Sequence, residues 1–173
     1  MSLRDSFRLP VRLLALAVVA LAALPALSAR VTVGDAFPSL NDPALSLEGN
    51  LPPFAGRVTL VDFWASWCEP CRASFPIYAR LHADYGPRGL AIVGVSVDKQ
   101  RAAYDAFLKR LQPPFATVRD ARHRLASVVD VPAMPTCFLV GRDGRVRFVG
   151  VGFHGAETTA ELQRAVEAAL AEK

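Results

Sequence analysis

The stretch DFWASWCEPCRASFP, residues 62–76, places Cys68 and Cys71 two residues apart behind a run of strand-forming side chains. Two thiols at this spacing can supply half of a metal site, close a structural disulfide, or alternate between dithiol and disulfide. A tetrahedral metal site needs two more ligands. The remaining supply is Cys137 with His82, His123 and His154, scattered without ligand spacing. A bridge across so short a loop removes little entropy from the unfolded chain and is a weak staple. Redox exchange suits the position best. Cys68 falls where an apolar strand stops and a helix starts, and there free amides and the helix dipole favour the reactive thiolate. Cys71 falls almost one turn further on, less accessible but near enough to resolve a mixed disulfide formed by Cys68.

Three neighbours bear on that chemistry. Asp62 is a carboxylate within the apolar run RVTLVDFW, so burial is expected to raise its pKa. Beneath the cysteine loop it would accept the Cys71 proton during resolution; the competing reading is a strand-end aspartate with a structural hydrogen bond. Glu69 is expected to raise the Cys68 pKa by like-charge repulsion, and Pro70 stiffens the turn and removes one N–H donor. Both tune the pair towards a reductant. Cys137 reads as a small buried hydrophobe, with a third redox thiol as the alternative.

The elements that must position these groups follow from periodicity. Residues 30–56 are loop-like, rich in Gly, Pro, Asn and Asp. Arg57–Trp64 and Leu90–Val97 read as buried strands. Between them a helix from Glu69 carries Ala73, Ile77, Leu81 and Tyr85 on one face, with a kink expected at Pro76. Strand, helix and strand in this order imply a right-handed parallel crossover. Asp98 is expected to cap a helix bearing Tyr104, Phe107, Leu108 and Leu111. Phe115–Val118 reads as a short edge strand, and Asp120 as the cap of a brief helix through Val129. Thr136–Val140 and Arg145–Val149 form a hairpin through Gly141–Gly144. Thr158 and Glu161 make a capping box for a last helix carrying Leu162, Val166 and Leu170. The fold class is α/β, a mixed central sheet with helices on both faces.

A chain of 173 residues suits one domain with a full core. Arg4, Arg8 and Arg12 precede an apolar stretch from Leu13 to Leu24 and the small residues Ala26, Ser28 and Ala29. That is the layout of a secretory signal peptide over residues 1–29, an uncleaved membrane anchor being the alternative, with the domain over 30–173. The domain then carries 17 basic and 15 acidic residues, +2 overall, which leaves no nucleic-acid footprint. Export places three cysteines in an oxidising compartment.

The motifs also carry a resemblance. VDFWASWCEPC resembles the active-site strand and motif of thioredoxin, and PAMPTCFLVGRDGRV resembles the cis-proline segment and following hairpin of that superfamily. With VGDAFPSL and FAGRVTLVDFWASWCEPCRASFP, residues 31–170 are most similar to the exported TlpA/ResA/CcmG branch of thiol–disulfide oxidoreductases. The resemblance implies a thioredoxin fold, Cys68 as nucleophile and Cys71 as resolving thiol. It makes Trp67 a shield for the pair and Pro135 a cis proline facing it. The Met134-Pro135-Thr136 segment becomes the substrate-binding edge, with the Met134 backbone pairing to an extended substrate. The lysine that partners the buried aspartate of thioredoxin would fall at Gly94 and is missing. The acidic residue after the second strand appears only as Asp98, one position off.

By the same resemblance the chain is a monomeric periplasmic reductase with no cofactor beyond the cysteine pair. Its substrates would be disulfides of exported proteins, such as apocytochrome c or exported oxidases. Its electrons would come from a membrane thiol carrier of the DsbD/CcdA type. A disulfide oxidase or isomerase is the alternative within the class. A copper-binding assembly chaperone would favour a wider cysteine spacing with a nearby histidine, and a peroxidase a lone cysteine in a Pro/Thr setting.

Overall fold

Two strands buried along their whole length, β1 (Val58–Trp64) and β2 (Leu90–Ser96), pair in parallel at the middle of a five-stranded sheet. The computed structural model describes residues 30–172; the expected signal peptide at 1–29 lies outside them. Helix α1 (Glu69–Tyr85) joins the two strands. Then follow α2 (Arg101–Leu111), β3 (Ala116–Arg119), α3 (Arg124–Val128), the hairpin β4 (Thr136–Val140) and β5 (Val146–Val151), and α4 (Ala156–Ala171). The sheet order is β3-β2-β1-β4-β5, with β3 parallel to β2 and the hairpin antiparallel to β1. This is the mixed α/β architecture expected from the residues, and β3 is an edge strand, as β5 is on the other side.

Side chains alternate across β1. Asp62 and Trp64 face α1 and α2: Trp64 stacks on Phe107 and Tyr104 at 4.4 and 5.8 Å between ring centroids and meets Phe75 edge-on at 5.2 Å. Each such pair adds about 0.5–1.5 kcal/mol beyond burial. Phe63 faces the other way and packs on Phe138, which in turn meets Phe37 from the N-terminal arm. The arm is tied to α3 through Val31 and Val129, and through Arg124 with Ser46.

Several local expectations are corrected. The buried face of α1 is Cys71, Ser74, Phe75, Tyr78, Leu81 and Tyr85; Ala73 is exposed and Ile77 only half-buried. Pro76 is tolerated on the exposed side of a helix that runs unbroken to Tyr85. Asp98 does not cap α2, whose N-cap is Gln100 with no side-chain bond. Its carboxylate is engaged elsewhere. The capping box at α4 is also absent: the helix starts two residues before Thr158, and the Thr158 hydroxyl accepts from the His154 amide. Asp120 does reach α3, accepting from the Arg124 and Ala126 amides at 2.8 and 2.9 Å.

Gly94 stands opposite Asp62 in the β1–β2 register. A Cβ there would lie 2.9 Å from Trp64 Nε1, so the Trp64 cluster closes the position to any side chain, a lysine included. Gly94→Ala is expected to lower stability by about 1–3 kcal/mol in urea unfolding through overpacking.

Candidate active site

The turn between β1 and α1 places Cys68 at the N-cap of the helix and Cys71 within its first turn. The two are joined as a disulfide with their Cα atoms 5.3 Å apart. Both are buried, Cys71 completely and Cys68 to 4% exposure. The Cys71 amide donates to Cys68 Sγ at 3.2 Å. The helix-start amide thus points at the sulfur that would bear charge in the reduced form. Trp67 beside it is 71% exposed, a large apolar surface next to the sulfurs.

Asp98 holds this turn. Its two oxygens accept from the Ser66 amide at 3.2 and 3.0 Å, from Ser66 Oγ at 2.8 Å and from Ser96 Oγ at 2.8 Å. The Arg119 guanidinium donates to the backbone carbonyls of Asp98 and Lys99 and pairs with Glu48 at 2.6 Å. The carboxylate therefore clamps the end of β2 to the loop that precedes Cys68. Ser96 at the end of β2 and Ser66 just past the end of the adjacent parallel strand β1 are the sequence signal that could have shown this role for Asp98.

The Met134–Pro135 bond is cis, as the resemblance implied. Thr136, the first residue of β4, pairs with Phe63, so Pro135 lies at the cysteine end of the sheet. The Pro135 carbonyl accepts from the Gly152 amide at 2.8 Å, and Thr136 Oγ1 donates to the Ala133 carbonyl at 2.8 Å. The Met134 backbone makes no hydrogen bond among the described residues, which leaves it free to pair with an incoming chain. Glu69 reaches outward to an ion pair with Arg72 at 2.9 Å, its side chain 79% exposed. Its repulsion on Cys68 is therefore offset by a neighbouring cation and screened by solvent, weaker than the bare sequence implied. Pro70 occupies the first turn of α1, where a missing N–H costs nothing. Among the described residues no group of three or more His, Cys, Asp or Glu side chains is placed to hold a metal.

Beneath α1, Asp62 is 1% exposed and its pKa is pushed up to about 8, by burial first, with the Tyr78 hydrogen bond opposing. The Tyr78 hydroxyl donates to Oδ1 at 2.9 Å, whereas Oδ2 has no hydrogen-bond partner among the described residues. Cys137 lies opposite Asp62 in the β1–β4 register, buried. Burial, then the Asp62 charge, pushes its thiol up to about 12. It is therefore an inert thiol at neutral pH, in keeping with the buried-hydrophobe reading. Tyr78 was not singled out by periodicity, because the expected face of α1 omitted it.

A model of the Redoxin family matches residues 32–166. The chain belongs to the Redoxin family. Among relatives, the thiol-disulfide oxidoreductase ResA of Bacillus subtilis is 32% identical over 102 residues, covering 59% of this chain and 57% of that one. The ResA of Oceanobacillus iheyensis is 29% identical over 125 residues, 69% and 65% of the two chains. The match thus spans less than two thirds of the length of these two relatives. Among solved structures, a putative thiol:disulfide interchange protein DsbE from Chlorobium tepidum superposes with a TM-score of 0.74 at 34% identity, covering 81% of this chain and 99% of that one. This Redoxin-family chain thus has the thioredoxin-like fold and cysteine pair of the thiol–disulfide oxidoreductases.

Asp62 also makes stability depend on pH. Its carboxyl ionises near 3.8 when unfolded and near 8 when folded. Between those values the native state holds a proton that the unfolded chain has released, so stability falls as pH rises through the window. Urea unfolding of the oxidised protein should show this loss from pH about 4 to about 8, and Asp62→Asn should largely remove the slope.

Proposed function

We propose that this protein is an exported thiol–disulfide oxidoreductase that reduces disulfides of other exported proteins. The observation that carries the reading is the Cys68–Cys71 pair at the start of α1, flanked by exposed Trp67 and by a Met134 backbone without a hydrogen bond among the described residues. The Cys68 thiolate attacks a substrate disulfide, forming a mixed disulfide and expelling one substrate sulfur as a thiolate. Asp62 takes the Cys71 proton, and the Cys71 thiolate attacks Cys68 Sγ. The second substrate thiolate leaves, and two electrons have passed to the substrate. An extended substrate segment pairs with Met134 alongside cis-Pro135 and Thr136, while Trp67 screens the sulfurs from water.

Pro70 and the weakened influence of Glu69 leave a modest lean towards reduction. Export rests on the residue pattern of 1–29; among the described residues no helix is long and apolar enough to cross a membrane. Outside the cytoplasm, electrons would arrive through a membrane thiol carrier of the DsbD/CcdA type. Disulfides of apocytochrome c haem sites or of exported oxidases are the substrate class that the resemblance favours.

Cys71→Ser leaves the mixed disulfide without its resolving thiol. Expressed with its leader, this variant should accumulate covalent adducts on non-reducing gels. A second change, Cys68→Ser, should abolish them, and mass spectrometry of the adducts names the substrates. No trapped partner in a periplasmic extract would sink the exchange mechanism, and a reduction potential well above that of the periplasmic reductant would reverse its direction.

A further inference from the structure

Asp62 lacks the basic partner that the position opposite it supplies in thioredoxin, since Gly94 is closed by Trp64. Its neighbours are few. From α1 it meets Tyr78, and beside it in the strand register stand Cys137 of β4 and Gly94 of β2; α4 also packs against β1, and its buried residues are the uncharged Leu162, Val166 and Ala169. No charged side chain reaches it from these elements.

We propose that Tyr78 is a positioning residue for proton transfer: by holding Oδ1 of Asp62 it leaves Oδ2 as the oxygen that takes the Cys71 proton. Tyr78 lies seven residues after Cys71 on the inner face of α1, about 10 Å along the axis. Helical side chains lean towards the N-terminus, so its hydroxyl reaches back towards the cysteine turn. Ser74 lies between them, fully buried, and donates to the Cys71 carbonyl at 2.9 Å. The Tyr78 ring packs edge-on against Phe115 with centroids 6.4 Å apart, which limits how the hydroxyl can swing. A hydrogen bond to the carboxylate also stabilises the charged form, so Tyr78 partly counteracts the burial that favours the neutral acid. In the step itself the proton passes from Cys71 Sγ to Asp62 Oδ2. The freed electron pair forms the Cys68–Cys71 bond, and the bond between Cys68 and the substrate breaks with its pair on the substrate sulfur. Asp62 then returns the proton to water.

The inference rests on Asp62 being the proton acceptor, and the test separates the two. Tyr78→Phe removes the hydroxyl and keeps the ring. Carbon-13 NMR of the Asp62 carboxyl in the folded, oxidised variant should show its midpoint raised by about one to two pH units. In single-turnover reduction of a peptide disulfide, the rise of the resolution rate with pH should move up by the same amount, so that the rate at pH 7 falls about tenfold or more. Asp62→Asn should abolish that rise. An unmoved Asp62 midpoint in Tyr78→Phe, with the rise lost in Asp62→Asn, overturns the role of Tyr78 alone. A rise that survives in Asp62→Asn overturns the reading of Asp62 as acceptor, and the inference with it.

Discussion

The junction of β1 and α1 is the constraint on which the molecule depends. A helix N-terminus favours the reactive thiolate, and a helix N-terminus at the end of a central strand needs something to hold the turn between them. Asp98 does this with four hydrogen bonds from Ser66 and Ser96, two of the donors being on the turn's own residue. Because Asp98 follows β2, and Arg119 at the end of β3 braces its backbone, three parallel strands converge on the loop that carries Trp67 and Cys68. The rest of the fold follows from burying that sheet. Trp64 gathers Phe75, Tyr104 and Phe107 from two helices on one face, while the N-terminal arm and α3 cover the other.

Beneath the sulfurs the same burial produces a different chemistry. Asp62, Tyr78 and Cys137 come from three elements into a space that holds no counter-cation among the described residues, so each is biased towards its protonated form. Among the described residues, a hydrogen bond from Tyr78 is the one counterweight for the carboxylate. The arrangement gives one group that can exchange a proton near neutral pH, and beside it a thiol that stays silent.

Much of this was legible in the residues, and the failures have a common physical form. The buried strands, the hairpin and the cysteine turn announce themselves through local composition, and their boundaries were met within a residue or two. The phase of α1 was not. Steps of four through Ala73 and Ile77 matched the helical period, yet the face that packs is set by Phe75 and Tyr78 meeting Trp64 and Phe115. Asp98 looked like a cap because it precedes a helix, but the amide that claims it lies 32 residues earlier. Tyr78 lies 16 residues after the aspartate it serves. Periodicity reports what a segment can do alone, and these three choices are made across the sheet.

The strand pairing of Cys137 bears on how the right bridge is selected when the chain is first oxidised. Before β4 docks beside β1, three thiols are available and three pairings are possible. Cys68 and Cys71 meet across a separation of three residues, whereas either pairing with Cys137 must close a loop of more than sixty residues, at a much larger entropic cost. Once β4 is in place, burial next to Asp62 removes Cys137 from the competition altogether. Chain separation discriminates early and the finished sheet discriminates afterwards, so the chain can carry a third cysteine without diverting the other two.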